Sequence, residues 1–444
     1  MSDEHADKDA YPTRSDAGND RKVGMSTFLI HGKAQTTRWD FSHHTVPPLS
    51  SSVTYRLDSA ERGGRGFLQF GRRPDEEIEP VYIYDRLDEP TRSILEDDLA
   101  RAEGGEICCT FSTGMAAISA ALGILLKPGD HIVAYGTIYG CTYSLLTRWL
   151  ARLQIPTTFC DFTDLGNVRE AIRPETKVLY AETPANPTME LVDLGALSRL
   201  RDEVNADRPA DRQVHVLVDN TFASPYCQRP LEWGVDLVIE SLTKNICGFG
   251  TDMGGAVVCG RRYEEDLFMY RKDFGGVLSP KSAWAILVYG LSTLTLRAKR
   301  QIDTAFKVAE FLEGHPKIAR VHYPGLPSHP QFGLAEKQMR STLGTFAPGT
   351  LLYFETREDG EEPARARRLI NWAATHSYCI TLAVSLGNIR TLIEAPGIMT
   401  HSALPPEAQR QGRIAPNGIR LSFGLEKAED IIADLAEGLA QMGG

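Results

Sequence analysis

The stretch VDLVIESLTK at residues 235–244 places an apolar run directly before a short polar turn that ends in Lys244. A run of this length predicts a buried β-strand, and the glycine-rich stretch after it predicts a loop. A lysine at the end of a buried strand is partly removed from water, which lowers the pKa of its amine and suits it to act as nucleophile and base. An isolated lysine here would more often extend its charge to solvent, so the interpretation depends on other residues.

Further strands are predicted on the N-terminal side of this stretch. Apolar runs at 131–134, 178–181 and 214–218 alternate with helical patterns, which predicts an α/β fold with a mostly parallel sheet. Beyond about residue 280 the pattern changes to long helices, and the last of them is amphipathic. A chain of 444 residues is long enough for two domains, so we place a second domain there.

Composition narrows the class of partner. The formal charge of −10 disfavours nucleic acid and anionic membranes, which bind surplus Lys and Arg, and so favours a small-molecule substrate. The eight cysteines show no metal-binding or disulfide spacing, which predicts a reducing cytoplasm and no metal. The polar N-terminal residues are neither signal peptide nor anchor and are expected to form a disordered tail.

Two more features predict a cofactor. Asp219 ends the apolar run 214–218, where ligands of α/β sheets bind, and a carboxylate there could keep a pyridine nitrogen protonated; it could equally be a helix N-cap. The segment Phe111–Met115 opens a helix with Ser, Thr and Gly, which suits a phosphate or merely a cap. A strand-end lysine, a strand-end aspartate and a helix-start anion site together predict pyridoxal 5'-phosphate.

With these residues in place, the chain from about His31 to its end resembles the Cys/Met-metabolism family of pyridoxal-phosphate enzymes. The matching stretches are YDRLDEPT (84–91), STGMAAI (112–118), ETPANPT (182–188), VDNT (218–221), SLTK (241–244), YPGLPSHP (323–330) and IRLSFG (419–424). Their order and spacing match as well.

The resemblance implies an aspartate-aminotransferase-like fold (PLP fold type I), with a mostly parallel seven-stranded sheet and a smaller C-terminal α/β domain. It divides the chain into a disordered tail (1–30), an N-terminal arm and loop contacting a neighbouring subunit (31–80), a large cofactor-binding domain (81–285) and a C-terminal domain (286–444). It also implies a homotetramer that is a dimer of two tight dimers.

Roles follow from the resemblance, position by position. The catalytic residues would be Lys244, which holds the cofactor and moves protons, Tyr139, which stacks on the ring and protonates the leaving group, and Cys141 beside it. The phosphate would be held by Gly114, Met115, Ser241 and Thr243, joined by Tyr84 and Arg86 from the neighbouring subunit. Asp219 would pair with the ring nitrogen and Asn186 would lie near the ring oxygen. The substrate would contact Arg420, through its carboxylate, and Ser385 and Val384.

Within the family, two positions favour methionine γ-lyase activity, the elimination of L-methionine to methanethiol, 2-oxobutanoate and ammonia. Cys141 stands where cystathionine-handling relatives usually have glycine, and Val384 where they typically have glutamate, so the pocket suits an apolar methylthio group. The plainer interpretations are a small buried hydrophobe for Cys141 and core packing for Val384.

Three alternatives remain open. An O-acylhomoserine sulfhydrylase or cystathionine γ-synthase would share the first half of the mechanism, as would a cystathionine γ-lyase. A catalytically silent relative would be free to lose Lys244, Tyr139 and Arg420, all of which are retained.

Some positions depart from the family. Glu89 stands where asparagine is usual, and Asn245 and Phe249 stand where tyrosine and histidine commonly follow the lysine. The segment 62–79 has no periodicity and is predicted to be an exposed loop, longer than usual.

Overall fold

The computed structural model describes residues 11–12, 22–31, 45–70, 81–358, 363–400, 402 and 406–442. The strands are β1 (Tyr11–Pro12), β2 (Lys22–Val23), β3 (Ile107–Phe111), β4 (His131–Tyr135), β5 (Thr157–Cys160), β6 (Thr176–Glu182), β7 (His215–Asp219), β8 (Leu237–Glu240), β9 (Gly255–Cys259), β10 (Ile318–His322), β11 (Leu351–Thr356), β12 (Ile380–Leu382), β13 (Thr391–Glu394) and β14 (Gly418–Ser422).

The α-helices alternate with these strands. They are α1 (Met25–His31), α2 (Ala60–Gln69), α3 (Pro90–Ala102), α4 (Gly114–Gly123), α5 (Gly140–Ser144), α6 (Leu165–Ala171), α7 (Leu194–Asn205), α8 (Ser224–Cys227), α9 (Glu264–Phe274), α10 (Pro280–Ala285), α11 (Ser292–Glu313), α12 (Phe332–Gln338), α13 (Ala364–Thr375), α14 (Pro406–Gln411) and α15 (Ala428–Ala440). None of the helices in the described ranges is both long and apolar enough to cross a membrane.

The larger sheet carries the strands predicted from sequence. Its seven strands lie in the order β3-β9-β8-β7-β6-β4-β5, and β9 pairs antiparallel with both of its neighbours while the other pairs are parallel. The central strands are apolar along their length because helices cover both faces of a parallel sheet. The predicted seven-stranded, mostly parallel α/β fold is confirmed. The carboxyl ends of β6, β7 and β8 lie side by side, so Glu182, Asp219 and Ser241 meet at one edge.

The smaller sheet lies in the C-terminal part of the chain. Its order is β10-β11-β14-β13-β12, antiparallel except for the β12–β13 pair. The helices α11, α13 and α15 contribute apolar side chains to the core of this part, among them Val308, Leu369 and Leu435. The predicted amphipathic C-terminal helix is therefore present as α15, with its apolar face buried.

Two sequence-based predictions are wrong in part. The disordered tail does not extend to residue 30, because Met25, Phe28 and Leu29 lie on one face of α1 and are buried; β1 also pairs with β2 inside the supposed tail. The predicted loop at 62–79 begins as helix α2, which the Ser59 side chain caps by accepting from the N–H of Arg62. This cap stabilises the start of the helix. Residues 71–79 lie outside the described ranges.

Glu89 caps α3 from a fully buried position. Its carboxylate accepts the backbone N–H groups of Thr91 and Arg92, and the residue is 0% exposed. Burial raises the pKa of Glu89 to about 7, against the opposing effect of the Arg92 charge. An acid whose pKa is higher in the folded chain than in the unfolded chain binds an extra proton on folding, so this part of the stability is present at low pH and is lost as pH rises through about 7.

The Glu89→Gln variant should therefore gain stability relative to the wild type as pH rises. Glutamine keeps an oxygen for the cap and does not titrate, so the difference in unfolding free energy should shift in its favour by about 2 kcal/mol between pH 5 and pH 8. Thermal melting at both pH values measures the shift, with Ser59→Ala, an exposed cap of α2, as a control whose difference stays constant. The same difference at both pH values for Glu89→Gln would show that this carboxyl does not titrate in the range.

Candidate active site

A cleft of about 300 Å³ opens at the carboxyl ends of β6, β7 and β8. Its walls come from the start of α4, the turns after these three strands, the segment between β12 and β13, and β14. The lining residues are Thr113, Gly114, Met115, Ile118, Tyr139, Glu182, Asn186, Asp219, Thr221, Phe222, Ser241, Thr243, Lys244, Met253, Val384, Ser385, Leu386, Thr400 and Arg420. The larger sheet and the C-terminal part of the chain therefore share one site.

Lys244 projects into this cleft from the turn that follows β8. The turn closes through a hydrogen bond from the N–H of Lys244 to the carbonyl of Ser241, and Lys244 Nζ donates to Ser385 Oγ at 2.8 Å. Burial lowers the pKa of the Lys244 amine, and the positive charge of Arg420 lowers it further. A lowered pKa leaves more of the amine neutral near pH 7, which is the form that attacks an aldehyde or removes a proton.

Two acids stand side by side at the strand ends. Glu182 and Asp219 are register partners on β6 and β7, so their side chains share one face of the sheet. Burial raises the pKa of both carboxyl groups, and the Asp219 charge raises the pKa of Glu182 further. Asp219 is held by the N–H of Thr221, 3.0 Å from Oδ1, and Lys244 favours its charged form. Asp219 does not cap α8, since that helix has no side-chain cap.

The start of α4 could serve as a cradle for an anion. The first N–H groups of a helix have no partner inside the helix and carry the positive end of its dipole. Thr113 caps α4 by accepting from the N–H of Ala116 at 3.1 Å, as the capping alternative required. Gly114 also has a packing reason, because a Cβ there would meet Ser241 Cβ at 3.0 Å. The hydroxyl-bearing residues Ser241 and Thr243 line the same end of the cleft.

Arg420 comes from the middle of β14 and is almost completely buried. Its Nη1 donates to Asn186 Oδ1 at 2.9 Å, and its Nη2 donates to the carbonyl of Ser385 at 2.8 Å. Nη2 also lies 3.0 Å from Glu394 Oε1. Ser385 has a φ of 95°, a left-handed conformation that costs about 1 kcal/mol or more for a residue with a Cβ. That conformation lets one residue accept from both Lys244 and Arg420.

Tyr139 stands immediately before α5 at the wall of the cleft. Its N–H donates to Glu182 Oε1 at 2.7 Å, and burial raises the pKa of its phenol, with further increases from Cys141 and Glu182. A phenol that stays protonated can donate a proton to a departing anion. Glu182 thus joins the Tyr139 backbone to the end of β6, next to the end of β7 that carries Asp219.

Most of the predicted site residues meet in this cleft, but three lie outside its lining. Cys141 is exposed on α5 and not a small buried hydrophobe, yet its side chain is hydrogen-bonded to Tyr139. Tyr84 and Arg86 contact each other through a cation–π pair, and Arg86 donates to the carbonyl of Lys272. Val384 lines the cleft with 54% of its surface exposed, so core packing does not explain it.

Sequence reasoning missed the roles of Glu182 and Glu394 in this arrangement. Glu182 lay inside a quoted motif, and its position at the end of a strand beside Asp219 could have identified it. Glu394 lies on β13 and reaches Arg420 only because β13 and β14 pair, with Glu394 opposite Arg420. No local pattern in the sequence marks such a contact between strands.

The donor set of the cleft fits pyridoxal phosphate. A helix start with hydroxyl neighbours suits the phosphate, a buried carboxylate suits the ring nitrogen, and a lysine with a lowered pKa suits the aldehyde. The Cβ-free position at Gly114 lets the backbone approach such a ligand closely. Arg420 lines the same cleft and could bind a second, anionic ligand.

Comparisons with known proteins agree with this donor set. The family model for Cys/Met metabolism PLP-dependent enzymes matches residues 26–440. The L-methionine γ-lyase of Fusobacterium nucleatum subsp. polymorphum is 40% identical over 424 residues, which cover 95% of this chain and 99% of that protein. The cystathionine β-lyase of Coxiella burnetii is 37% identical over 95% of this chain and 100% of its own length.

A solved structure leads to the same family. The cystathionine γ-lyase from Lactobacillus plantarum, complexed with L-serine, superposes with a TM-score of 0.81 at 32% identity, covering 95% of this chain and 99% of that one. The predicted fold type and cofactor class are both confirmed by these findings. The chain belongs to the Cys/Met-metabolism family of pyridoxal-phosphate-dependent enzymes.

Proposed function

We propose that this enzyme is a carbon–sulfur lyase that converts L-methionine and water into methanethiol, 2-oxobutanoate and ammonia. The observation that carries the proposal is the half-exposed Val384 in the cleft lining, close in sequence to the Ser385 that contacts Arg420. A substrate held by Arg420 through its carboxylate would meet an apolar wall at this position, which suits a methylthio group better than the charged distal end of cystathionine. The 40% identical relative named L-methionine γ-lyase supports the same substrate.

The cofactor would be bound at the strand ends. Gly114, Met115, Ser241 and Thr243 would hold its phosphate, Asp219 would hold the ring nitrogen protonated, Tyr139 would stack on the ring and Asn186 would lie near the ring oxygen. When bound, pyridoxal phosphate supplies an aldehyde that captures amines and a ring that accepts electron density from the Cα of the substrate. Lys244 would bind the aldehyde between turnovers.

The protein's own groups would then move the protons. Lys244 would remove the proton from Cα and a second one from Cβ, since its neutral amine is favoured by burial. Tyr139 would give its proton to the sulfur that leaves Cγ, with Cys141 hydrogen-bonded beside it to adjust this step. Arg420 and Ser385 would hold the carboxylate and keep Cα within reach of Lys244.

The second candidate is a different sulfur-amino-acid reaction. It would be either elimination on cystathionine or replacement of the acyl group of an acylated homoserine by a thiol. The relative named cystathionine β-lyase is 37% identical over 95% of this chain, which supports this second candidate. The two candidates differ in what contacts the distal end of the substrate, where Val384 lies.

We also propose a homotetramer in which Tyr84 and Arg86 complete the neighbour's site. Both residues lie outside the cleft of their own chain, and Tyr84 is 37% exposed. Sedimentation of an active enzyme as a single chain would contradict this assembly.

The described cysteines are all free thiols, which supports the cytoplasm as the compartment of this enzyme. Cell fractionation tests this proposal.

Product analysis of the purified holoenzyme tests the function. With L-methionine, we expect methanethiol and 2-oxobutanoate in equal amounts, formed faster than products from cystathionine or from an acyl-homoserine with added thiol. Equal amounts are required because one carbon–sulfur bond breaks for each keto acid released. Little product from methionine together with efficient thiol incorporation into the acyl-homoserine would overturn the proposal in favour of a synthase.

A further inference from the structure

Asn245 follows Lys244 directly and is buried, with 4% of its surface exposed. Its side-chain amide reaches two other segments of the chain. Nδ2 donates to the carbonyls of Thr221 and Phe222, at 2.9 Å and 3.3 Å, and Oδ1 accepts from Thr350 Oγ1 at 3.2 Å. The amide therefore connects the Lys244 turn both to the turn after β7 and to the residue that precedes β11.

These two segments carry other parts of the site. Thr221 donates its N–H to Asp219, and Thr221 Oγ1 accepts the N–H of Ser241 at 2.8 Å. Thr350 lies just before β11, which pairs with β14, the strand of Arg420. The Asn245 side chain thus bonds to Thr221, the residue that donates its N–H to Asp219. It also lies between Lys244 and the sheet that holds Arg420.

The backbone around Asn245 is also fixed. Arg297 Nη1 donates to the Asn245 carbonyl at 2.8 Å. On the other side, a Cβ at Gly387 would lie 2.4 Å from the Asn245 nitrogen, so the segment after Ser385 packs against the peptide that joins Lys244 to Asn245.

The alternative is an ordinary amide that only satisfies nearby backbone groups. Asn205 is a half-buried amide of this kind, since its Nδ2 donates to the carbonyl of Val214 at 2.9 Å and its Oδ1 accepts the N–H of Val214 at 2.8 Å. Asn205 bonds to one neighbour away from the cleft, whereas Asn245 bonds to two segments that bear site residues. The two asparagines therefore form a matched pair, similar in their bonds to backbone groups and different in what they connect.

We propose that Asn245 is a positioning residue that holds Lys244 in register with Asp219 and with the strand of Arg420. This inference rests on the proposed role of Lys244. Loss of the amide would weaken the link between the Lys244 turn and the Asp219 turn, which would then rest on the bond from the Ser241 N–H to Thr221 Oγ1. A displacement of about 1 Å at a reacting group lowers rates by roughly a hundredfold.

The Asn245→Ala variant should lower kcat by about 10- to 100-fold on whichever amino acid the wild type converts, with KM changed less than about threefold. The apoprotein should also bind pyridoxal phosphate about tenfold more weakly, as measured by quenching of its intrinsic fluorescence, because the Asp219 turn has lost a support. Asn205→Ala should lower Tm but leave kcat and cofactor affinity unchanged. Asn245→Ala with kcat and cofactor affinity within twofold of wild type would overturn the inference.

Asn245→Asp keeps the volume of the side chain and provides a second variant if the alanine protein does not fold. It places carboxylate oxygens against the carbonyls of Thr221 and Phe222, so its kcat should fall at least as far as that of the alanine variant. An aspartate variant with the wild-type kcat would overturn the inference. An enzyme that works without Lys244 would refute the proposed function itself. Asn245 variants with wild-type kcat and cofactor affinity, in an enzyme that needs Lys244, would refute only this inference.

Discussion

Replacement of Lys244 by alanine should lower kcat by a factor of about a thousand or more, because the variant loses both the group that binds the aldehyde and the base that moves the protons. The cradle at the start of α4 and the Asp219 carboxylate remain, so the variant should still bind pyridoxal phosphate noncovalently. The measurement is keto-acid release from L-methionine together with the absorbance of the bound cofactor. A small primary amine added to the variant should restore part of the rate, since it supplies the missing base.

Lys177 offers a matched control for this variant. It is also a largely buried lysine whose pKa burial lowers, but its Nζ donates to the carbonyl of Asp211 at 3.0 Å, away from the cleft. Lys177→Ala should cost stability and leave kcat unchanged. A Lys244→Ala enzyme with the rate of the wild type would refute the proposed role of Lys244, and a loss of rate equal to that of Lys177→Ala would assign the effect to stability.

The fold was predictable because each central strand has a recognisable apolar pattern in its own sequence. The runs that became β4, β6, β7 and β8 are apolar along their length, and each is short and followed by polar turn residues. The order of the strands was not predictable from such runs, since pairing depends on contacts between distant segments. The antiparallel β9, between β3 and β8, is an example. The seven-stranded sheet itself followed from the family resemblance.

Helix α2 shows where local reasoning failed. Its sequence AERGGRGFLQ contains three glycines, which oppose helix formation by about 1 kcal/mol each. The segment 62–79 is predicted to be a loop because it shows no periodicity. Two of these glycines lie where a side chain would collide with neighbours: a Cβ at Gly63 would lie 2.9 Å from Leu57, and one at Gly66 would lie 2.6 Å from Ile83. Close packing against residues outside the helix explains Gly63 and Gly66, and the segment alone does not show that contact.

The site residues also include some that could be predicted from the sequence and some that could not. Lys244, Asp219 and Gly114 follow strands or open a helix, so their positions could be inferred from the pattern of elements. Glu394 could not, because it contacts Arg420 across a strand pair that the sequence does not specify. The contact matters chemically, since a buried guanidinium without an acid nearby would be costly. Burial lowers the pKa of Arg420 and the Glu394 charge opposes that effect.

The replacement of Arg420 by alanine should act mainly on binding. A hydrogen-bonded pair between an arginine and a carboxylate contributes about 1.5 to 3 kcal/mol, so KM for L-methionine should rise by about 10- to 150-fold. All α-amino acid substrates should be affected alike, because they share the carboxylate. Arg420→Lys keeps the charge but cannot reproduce the three contacts to Asn186, Ser385 and Glu394, so its KM should lie between those of the alanine variant and the wild type.

Arg201 separates this effect from loss of a buried ion pair in general. Like Arg420 it pairs with a buried acid, in this case Asp236, but it lies outside the cleft. Arg201→Ala should lower Tm and leave KM unchanged, whereas Arg420→Ala should raise KM and also leave Glu394 without its partner, which lowers Tm. If KM stayed at the wild-type value in Arg420→Ala, the carboxylate would have to be bound elsewhere. The assignment of Val384 to the distal end of the substrate would then fail, because it depends on Arg420 holding the carboxylate.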